Sequence, residues 1–190
     1  DCKENATLVV GHNAKTREEL EQMIQEGKWK KFIREIPIKP GDFIQIDPGT
    51  VHAIKGGTLL LETQQSSDIT YRVYDYDRLS NGKPRQLHIV QSIDVITVPA
   101  KSADNSVVHT EKKDDAIQQL IRCPYYTVYR IDVEHRVETW QDKPFVLMSV
   151  VKGEGTLNGT HLKKGDHLIL PDGYGKVELQ GRMQIIASTI

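Results

Sequence analysis

Two stretches of this chain, GDFIQIDPGTVH at residues 41–52 and GDHLILPDGYGK at residues 165–176, follow one pattern 124 residues apart. Each has a lysine one or two positions before it, opens with Gly-Asp and continues into a five-residue strand-like run. A turn containing Pro and Gly comes next, and the stretch closes eleven positions after its first glycine. Gly, Pro and Asp supply the backbone angles that tight turns between strands need. We therefore predict two copies of a strand–turn–strand unit in two related β domains.

The segments around these copies predict a mainly β protein, a sandwich or a barrel. One helical region is expected at about 16–33, with Thr16 as its N-cap and Leu20, Met23 and Ile24 at helical spacing. After it, short runs rich in Val, Ile and aromatic residues predict strands at 43–46, 58–61, 71–74, 126–131, 145–151, 167–170 and 183–187. For 116–122 the sequence leaves helix and strand open.

The polar stretch at residues 99–115 predicts a linker between two domains, 1–98 and 116–190. The chain begins with Asp1 and reaches the apolar run 7–10 after only six residues. A natural start usually has a polar lead-in, so we expect a fragment of a longer protein.

Composition excludes several classes of function. Lys and Arg total 25 against 26 Asp and Glu, and this net charge of −1 argues against a nucleic-acid-binding surface. The chain has no apolar run of membrane-spanning length, so no membrane partner is expected. Two cysteines, Cys2 and Cys123, are too few for a disulfide framework and predict a cytoplasmic location.

His52 is the first candidate for chemistry because it follows the Pro48-Gly49 turn, which would hold its ring rigidly at a barrel mouth. A metal ligand needs such a fixed donor. The alternative is an ordinary histidine on a strand. Lys176 takes the equivalent place in the second copy, and an ammonium group is no usual zinc ligand, so a metal is expected only in the first domain.

Acidic and basic side chains downstream of His52 form the second candidate. If 68–73 is a strand, alternation places Asp68 and Arg72 on one face, and Glu62 lies on the strand before. Such a face beside His52 could transfer protons, and its arginine could stabilise negative charge or bind a phosphate. A polar outer face with surface ion pairs is the alternative. Five other histidines are scattered without ligand spacing and are expected to be surface or core residues; they are His88, His109, His135, His161 and His167.

The stretch GDFIQIDPGTVH resembles the second signature of the cupin superfamily. Its continuation HAIKGGTLLLETQQSSDITYRVYDYDR is similar to the class I mannose-6-phosphate isomerases of the short bacterial type. This resemblance implies tandem cupin-like β-barrels with a short helical insertion, and an enzyme that interconverts mannose 6-phosphate and fructose 6-phosphate through a cis-enediol. It further implies that His52 binds zinc, that Arg72 is the catalytic arginine, and that Glu62 and Asp68 bind the sugar phosphate.

Two segments of the family are missing from this sequence: V-H-P-x-D and K-x-E-x-W-Y, which carry the other zinc ligands. We therefore expect an N-terminally truncated chain that binds zinc weakly and is inactive alone. An incomplete barrel with an open sheet edge also predicts a homodimer. A catalytically dead sugar-binding or regulatory cupin remains the main alternative. An iron-dependent cupin oxygenase is less favoured, since it needs two histidines and a carboxylate on one face.

Overall fold

The computed structural model describes residues 1–67, 69–102, 106–108 and 111–190. It divides into two compact units. The first consists of Asp1–Leu60 and Ser66–His109, and the second of Leu61–Gln65 and Thr110–Ile190. No helix in the described part of the chain is long and apolar enough to cross a membrane.

The first unit combines short strands with all three helices that the structure describes. Its elements are β1 (Thr7–His12), α1 (Arg17–Gln25), α2 (Trp29–Phe32), β2 (Ile33–Pro37), β3 (Phe43–Ile44), β4 (His52–Ala53), β5 (Leu79–Ser80), β6 (Lys83–Pro84), α3 (Ile89–Val95) and β7 (Val107–Val108). An antiparallel sheet has the order β2-β1-β4, while β3 pairs with β7 and β5 with β6.

Helices α1 and α2 lie within the range predicted to be helical. Thr16 caps α1, since its hydroxyl accepts the Glu19 backbone N–H at 3.2 Å. Glu18 and Glu19 lie in the first turn, where their negative charges interact favourably with the positive end of the helix dipole. Leu20 and Ile24 are one turn apart and both buried, where they pack with Phe32 of α2. This apolar stripe anchors the helices on the core of the first unit.

The second unit is one antiparallel sheet built around two long strands. Its elements are β8 (Ala116–Arg122), β9 (Thr127–Val133), β10 (Arg136–Gln141), β11 (Phe145–Leu157), β12 (Thr160–Lys163), β13 (His167–Pro171) and β14 (Gly175–Thr189). The main order is β12-β11-β14-β9-β8, with β10 on β14 and β13 on β11. Leu179 and Ile185 of β14 are fully buried in its apolar core.

The repeated sequence has a repeated backbone. In the first copy the Asp42 carboxylate accepts the Lys39 N–H at 2.9 Å, and in the second Asp166 accepts the Lys163 N–H at 2.8 Å. Gly41 and Gly165 occupy the same left-handed region, at φ +90° and +94°. The second turn is also shared, since Thr50 N–H donates to Asp47 O at 3.2 Å and Tyr174 N–H to Pro171 O at 3.3 Å.

The chain is mainly β, as predicted, but the described strands form no closed barrel. Several local predictions are wrong. Residues 58–61 and 71–74 are not strands, and 89–95, for which no helix was predicted, form α3. Apolar or aromatic runs become strands only where a neighbouring strand accepts their backbone hydrogen bonds. At 71–74 a side chain supplies that partner instead, because Arg72 N–H donates to the His88 ring. The undecided 116–122 is strand β8.

Candidate functional site

His52 begins β4 two residues after Thr50, the last residue of the Asp47–Thr50 turn, and pairs with Val10 of β1. Its Nδ1 lies 2.9 Å from the Thr50 carbonyl oxygen. Because a carbonyl only accepts, Nδ1 carries the proton and donates it, which leaves the lone pair of the neutral ring on Nε2. The side chain is exposed. His52 therefore has the tautomer that a metal ligand binding through Nε2 requires.

The equivalent position in the second copy has different chemistry. Lys176 pairs with Trp140 across β10 and β14, and its ammonium lies 2.7 Å from the Glu138 carboxylate. Arg136 and Glu178 join the same group of alternating charges. This position thus takes part in exposed ion pairs, which contribute little to stability.

The donors required for a metal are not grouped around His52 in the described residues. Across residues 1–67, 69–102, 106–108 and 111–190, no group of three His, Cys, Asp or Glu side chains is arranged to hold a metal ion. Glu62 is exposed in the segment Leu61–Gln65, which groups with the second unit. Asp68 and His109 lie outside the described residues. A zinc site needs at least three protein ligands, so the described residues do not fit a complete one.

Arg72 is held on both its backbone and its side chain. Its backbone N–H donates to His88 Nδ1 at 3.2 Å, and its carbonyl accepts the His88 N–H at 2.8 Å. One guanidinium nitrogen donates to the Gln86 carbonyl at 3.3 Å, and Nε lies 3.8 Å from the Asp75 carboxylate. The side chain is 26% exposed, so the guanidinium is both fixed and reachable.

Asp75 is a buried carboxylate shared by three arginines. Arg85 contacts it through two nitrogens, Nε at 2.6 Å among them, and Arg78 donates to it at 2.9 Å. These bonds, chiefly with Arg85, hold the pKa of Asp75 below its usual value. Three guanidiniums against one carboxylate leave two positive charges on these four side chains. The cluster is suited to binding an anion.

The strand-alternation argument for this site is wrong, because 71–74 is not a strand and Arg72 owes its position to residues 75 and 86–88. Asp75, Arg78, Arg85 and His88 were not selected from the sequence. Arginines recur at 72, 78 and 85 in the sequence, but nothing in the sequence shows that Asp75 is buried and shared by all three. His88 was expected to be a surface or core residue, and its contact with Arg72 depends on a fold that spacing does not reveal.

Comparisons with known proteins agree on one family. The profile described as "Mannose-6-phosphate isomerase, cupin domain" matches residues 116–190. The chain is 45% identical to mannose-6-phosphate isomerase ManA of Bacillus subtilis over 99% of its own length and 61% of the relative. It is 44% identical to the mannose-6-phosphate isomerase of Streptococcus mutans over 97% of its length and 60% of that protein. The chain thus spans about three-fifths of these relatives.

Solved structures give the same result. The crystal structure of the mannose 6-phosphate isomerase from Bacillus subtilis matches with a TM-score of 0.88 and 41% identity, over 100% of this chain and 62% of that one. A phosphomannose isomerase mutant from Salmonella typhimurium has a TM-score of 0.72 at 12% identity, over 96% of this chain and 64% of that one. At that low identity the second likeness concerns the fold alone.

Proposed function

We propose that the chain belongs to the mannose-6-phosphate isomerase family and is part of an enzyme that interconverts mannose 6-phosphate and fructose 6-phosphate. The similarity to ManA along nearly the whole chain carries this proposal. The arginine cluster around Asp75 gives it a chemical basis, since the substrate and the reaction intermediate are both anionic.

The reaction moves a proton between C1 and C2 of the open-chain sugar through a cis-enediol, whose oxygen carries the developing negative charge. Arg72 stabilises that charge, because a fixed guanidinium costs no reorganisation as the charge forms. Glu62 and Asp68 bind the hydroxyl groups of the sugar phosphate. The contacts of Arg72 with Gln86 and Asp75 support its role, since they fix the direction of its guanidinium.

We also propose that His52 is one ligand of a zinc ion in the complete enzyme. Its free Nε2 supports this role, but the described residues do not form a complete zinc site. When bound, the metal would polarise or anchor substrate oxygens. No step above depends on it, and the chain alone is expected to be inactive.

The finer architecture is part of the same proposal. Two tandem cupin-like barrels at 1–98 and 116–190, joined by 99–115, would share the two repeated turns, with the helices near 16–33 inserted in the first. Only the first barrel would bind metal, since Lys176 is engaged with Glu138 in the second. The protein would act in the cytoplasm and form a homodimer through an open edge of the β2-β1-β4 sheet.

The decisive experiment joins residues 1–190 to the part of ManA that they do not cover, and measures fructose 6-phosphate formed from mannose 6-phosphate. We expect the hybrid to isomerise the sugar and the 190-residue chain not to. Arg72→Ala should lower kcat of the hybrid at least about 100-fold, the size typical of removing one group that stabilises transition-state charge.

Arg122→Ala is the matched control, because Arg122 is an exposed arginine of the second unit outside the Asp75 cluster. Full activity of the Arg72→Ala hybrid would contradict the assigned role. A folded hybrid that binds mannose 6-phosphate without converting it would favour the second candidate, a catalytically dead sugar-binding cupin. The missing group of three metal donors among the described residues is the observation in favour of that candidate.

A further inference from the structure

Residues 72 and 88 form a reciprocal pair of hydrogen bonds across sixteen residues of sequence. In a strand pair, two backbones would exchange N–H and C=O groups. Here the His88 backbone N–H donates to the Arg72 carbonyl, but the acceptor for the Arg72 N–H is the His88 ring at Nδ1. The backbone of Arg72 therefore depends on the identity of one side chain.

His88 has a firm place from which to hold Arg72. It is the residue before α3, and its carbonyl accepts the Ser92 N–H at 2.8 Å in the first turn of that helix. Ser92 is buried, and Ile89 and Ile93 of α3 pack against the Phe32 cluster. This buried apolar cluster consists of Ala14, Leu20, Ile24, Phe32 and Ile96. The ring is thus attached to the packed core rather than to a free loop.

Both ends of Arg72 are held by the same short segment. Gln86 O accepts from the guanidinium, and two residues later His88 accepts from the backbone. Loss of the ring acceptor would leave the Arg72 N–H unpaired and release the backbone, so the guanidinium would no longer keep its direction toward a bound anion.

We propose that His88 is a positioning residue that orients Arg72 for the anionic sugar phosphate. The proposal rests on the proposed function for the identity of the ligand, while the His88–Arg72 geometry can be tested without it. Because a single hydrogen bond is at issue, we expect about a tenfold loss of mannose 6-phosphate affinity when the acceptor is removed, equivalent to about 1.4 kcal/mol.

The first measurement is the tautomer of each histidine in the isotope-labelled 190-residue chain, by long-range proton–nitrogen NMR above pH 8. An Nδ1 that accepts an N–H leaves the proton of a neutral ring on Nε2. His88 should therefore resemble His12, whose Nε2 lies 3.0 Å from the Thr97 carbonyl. His52, protonated on Nδ1, is the internal reference of opposite type. A proton on Nδ1 of His88 would overturn the proposal.

The second measurement compares His88→Leu, which removes the acceptor, with His88→Asn, whose side-chain oxygen replaces Nδ1. We expect His88→Leu to speed hydrogen exchange of the Arg72 amide and shift its Nε–H resonance in the 190-residue chain, and to raise the Kd of the hybrid with ManA for mannose 6-phosphate about tenfold. His88→Asn should stay within about twofold of the wild type. Wild-type affinity and an unchanged Arg72 Nε–H signal in His88→Leu would refute the proposal.

Arg72→Gln separates this inference from the proposed function. If mannose 6-phosphate binds equally well to the Arg72→Gln hybrid with ManA, or not at all to the hybrid that keeps Arg72, the proposed function fails. The tautomer and the Arg72 signals then still decide whether His88 positions Arg72. If His88→Leu does not fold, as judged by circular dichroism, the tautomer and His88→Asn decide, and loss of the Arg72 signals in His88→Asn would count against the proposal.

Discussion

Asp115 shows how one charged residue can organise a connection between strands. Its carboxylate accepts the backbone N–H groups of Glu134, His135 and Arg136 at 2.8–3.0 Å. The His135 ring lies 3.1 Å from the other oxygen. A carboxylate with several N–H donors strongly prefers its charged form, and these bonds, that of His135 first, lower the pKa of Asp115 to about 2. Asp115 thereby satisfies the backbone groups between β9 and β10.

This lowered pKa predicts a pH-dependent stability. A group that ionises more easily in the folded protein stabilises it above its unfolded pKa, near 3.8, and that contribution is lost as the pH falls toward about 2. Asp115→Asn keeps a short polar side chain that tolerates the left-handed φ of +50° but lacks the charge. We expect its free energy of unfolding, measured with urea, to be lower than that of the wild type at pH 7. The difference between the two proteins should shrink between pH 4 and pH 2. An undiminished difference at pH 2 would contradict this account.

At the residue scale, the sequence selects candidate side chains for the chemistry but does not identify the residues that hold them. His52 and Arg72 were selected from a turn and from a family resemblance, and their roles remain proposals. Asp75 and His88 were not selected, because a buried acid shared by distant arginines and a ring that accepts a backbone N–H are products of tertiary structure. The signal for such residues lies in contacts between 72, 75, 85 and 88, not in local pattern.

At the scale of secondary-structure elements, the two repeated turns can be tested by substitution of their glycines. A Cβ built on Gly41 or Gly165 meets no atom within 4 Å, so an alanine at either position is opposed only by the left-handed backbone. We expect Gly41→Ala and Gly165→Ala each to lower the free energy of unfolding by a similar amount, about 1–2 kcal/mol. Urea unfolding monitored for each unit would measure both.

Gly153 of β11 provides the contrast. It also has a positive φ, of +73°, but a Cβ there would collide with the Arg182 backbone carbonyl of β14. Gly153→Ala should therefore cost clearly more than either turn variant. If Gly41→Ala proved neutral while Gly165→Ala was destabilising, the two turns would not be energetically equivalent despite their shared hydrogen bonds.

Elements were predictable where local chemistry and tertiary structure agree. The Thr16 cap and the Leu20–Ile24 spacing identify α1 because the same residues cap the helix and bury its face. The run 71–74 misleads because its side chains have other partners: the Tyr74 ring stacks on Trp29 with the ring centroids 4.5 Å apart, and Val73 packs against the Phe32 cluster. In the run 58–61, Leu59, Leu60 and Leu61 are exposed. Helix α3 is rich in Ile and Val, and its packing overrides the weak helix preference of those residues.

At the scale of the whole molecule, the balance of charge hides strong local differences. The net charge is only −1, yet Arg72, Arg78 and Arg85 surround one acid in the first unit. In the second unit Arg136 and Lys176 alternate with Glu138 and Glu178. Overall charge argues against a large basic surface but does not reveal a local excess of arginines such as the one around Asp75. Such an excess becomes visible only when the fold brings residues 72–85 together.

The number of metal ligands grouped in the described residues limits how tightly this chain can bind zinc. His52 is a single neutral donor, and one imidazole binds zinc weakly because tight sites share the cost of dehydrating the ion among three or four ligands. We expect calorimetric titration of the 190-residue chain with zinc to show a Kd no tighter than about the micromolar range, weakened further in His52→Ala. His161→Ala is the matched control, since His161 is an exposed histidine of the second unit. Submicromolar affinity that disappears in His52→Ala would contradict the prediction and would require further ligands from this chain beside His52.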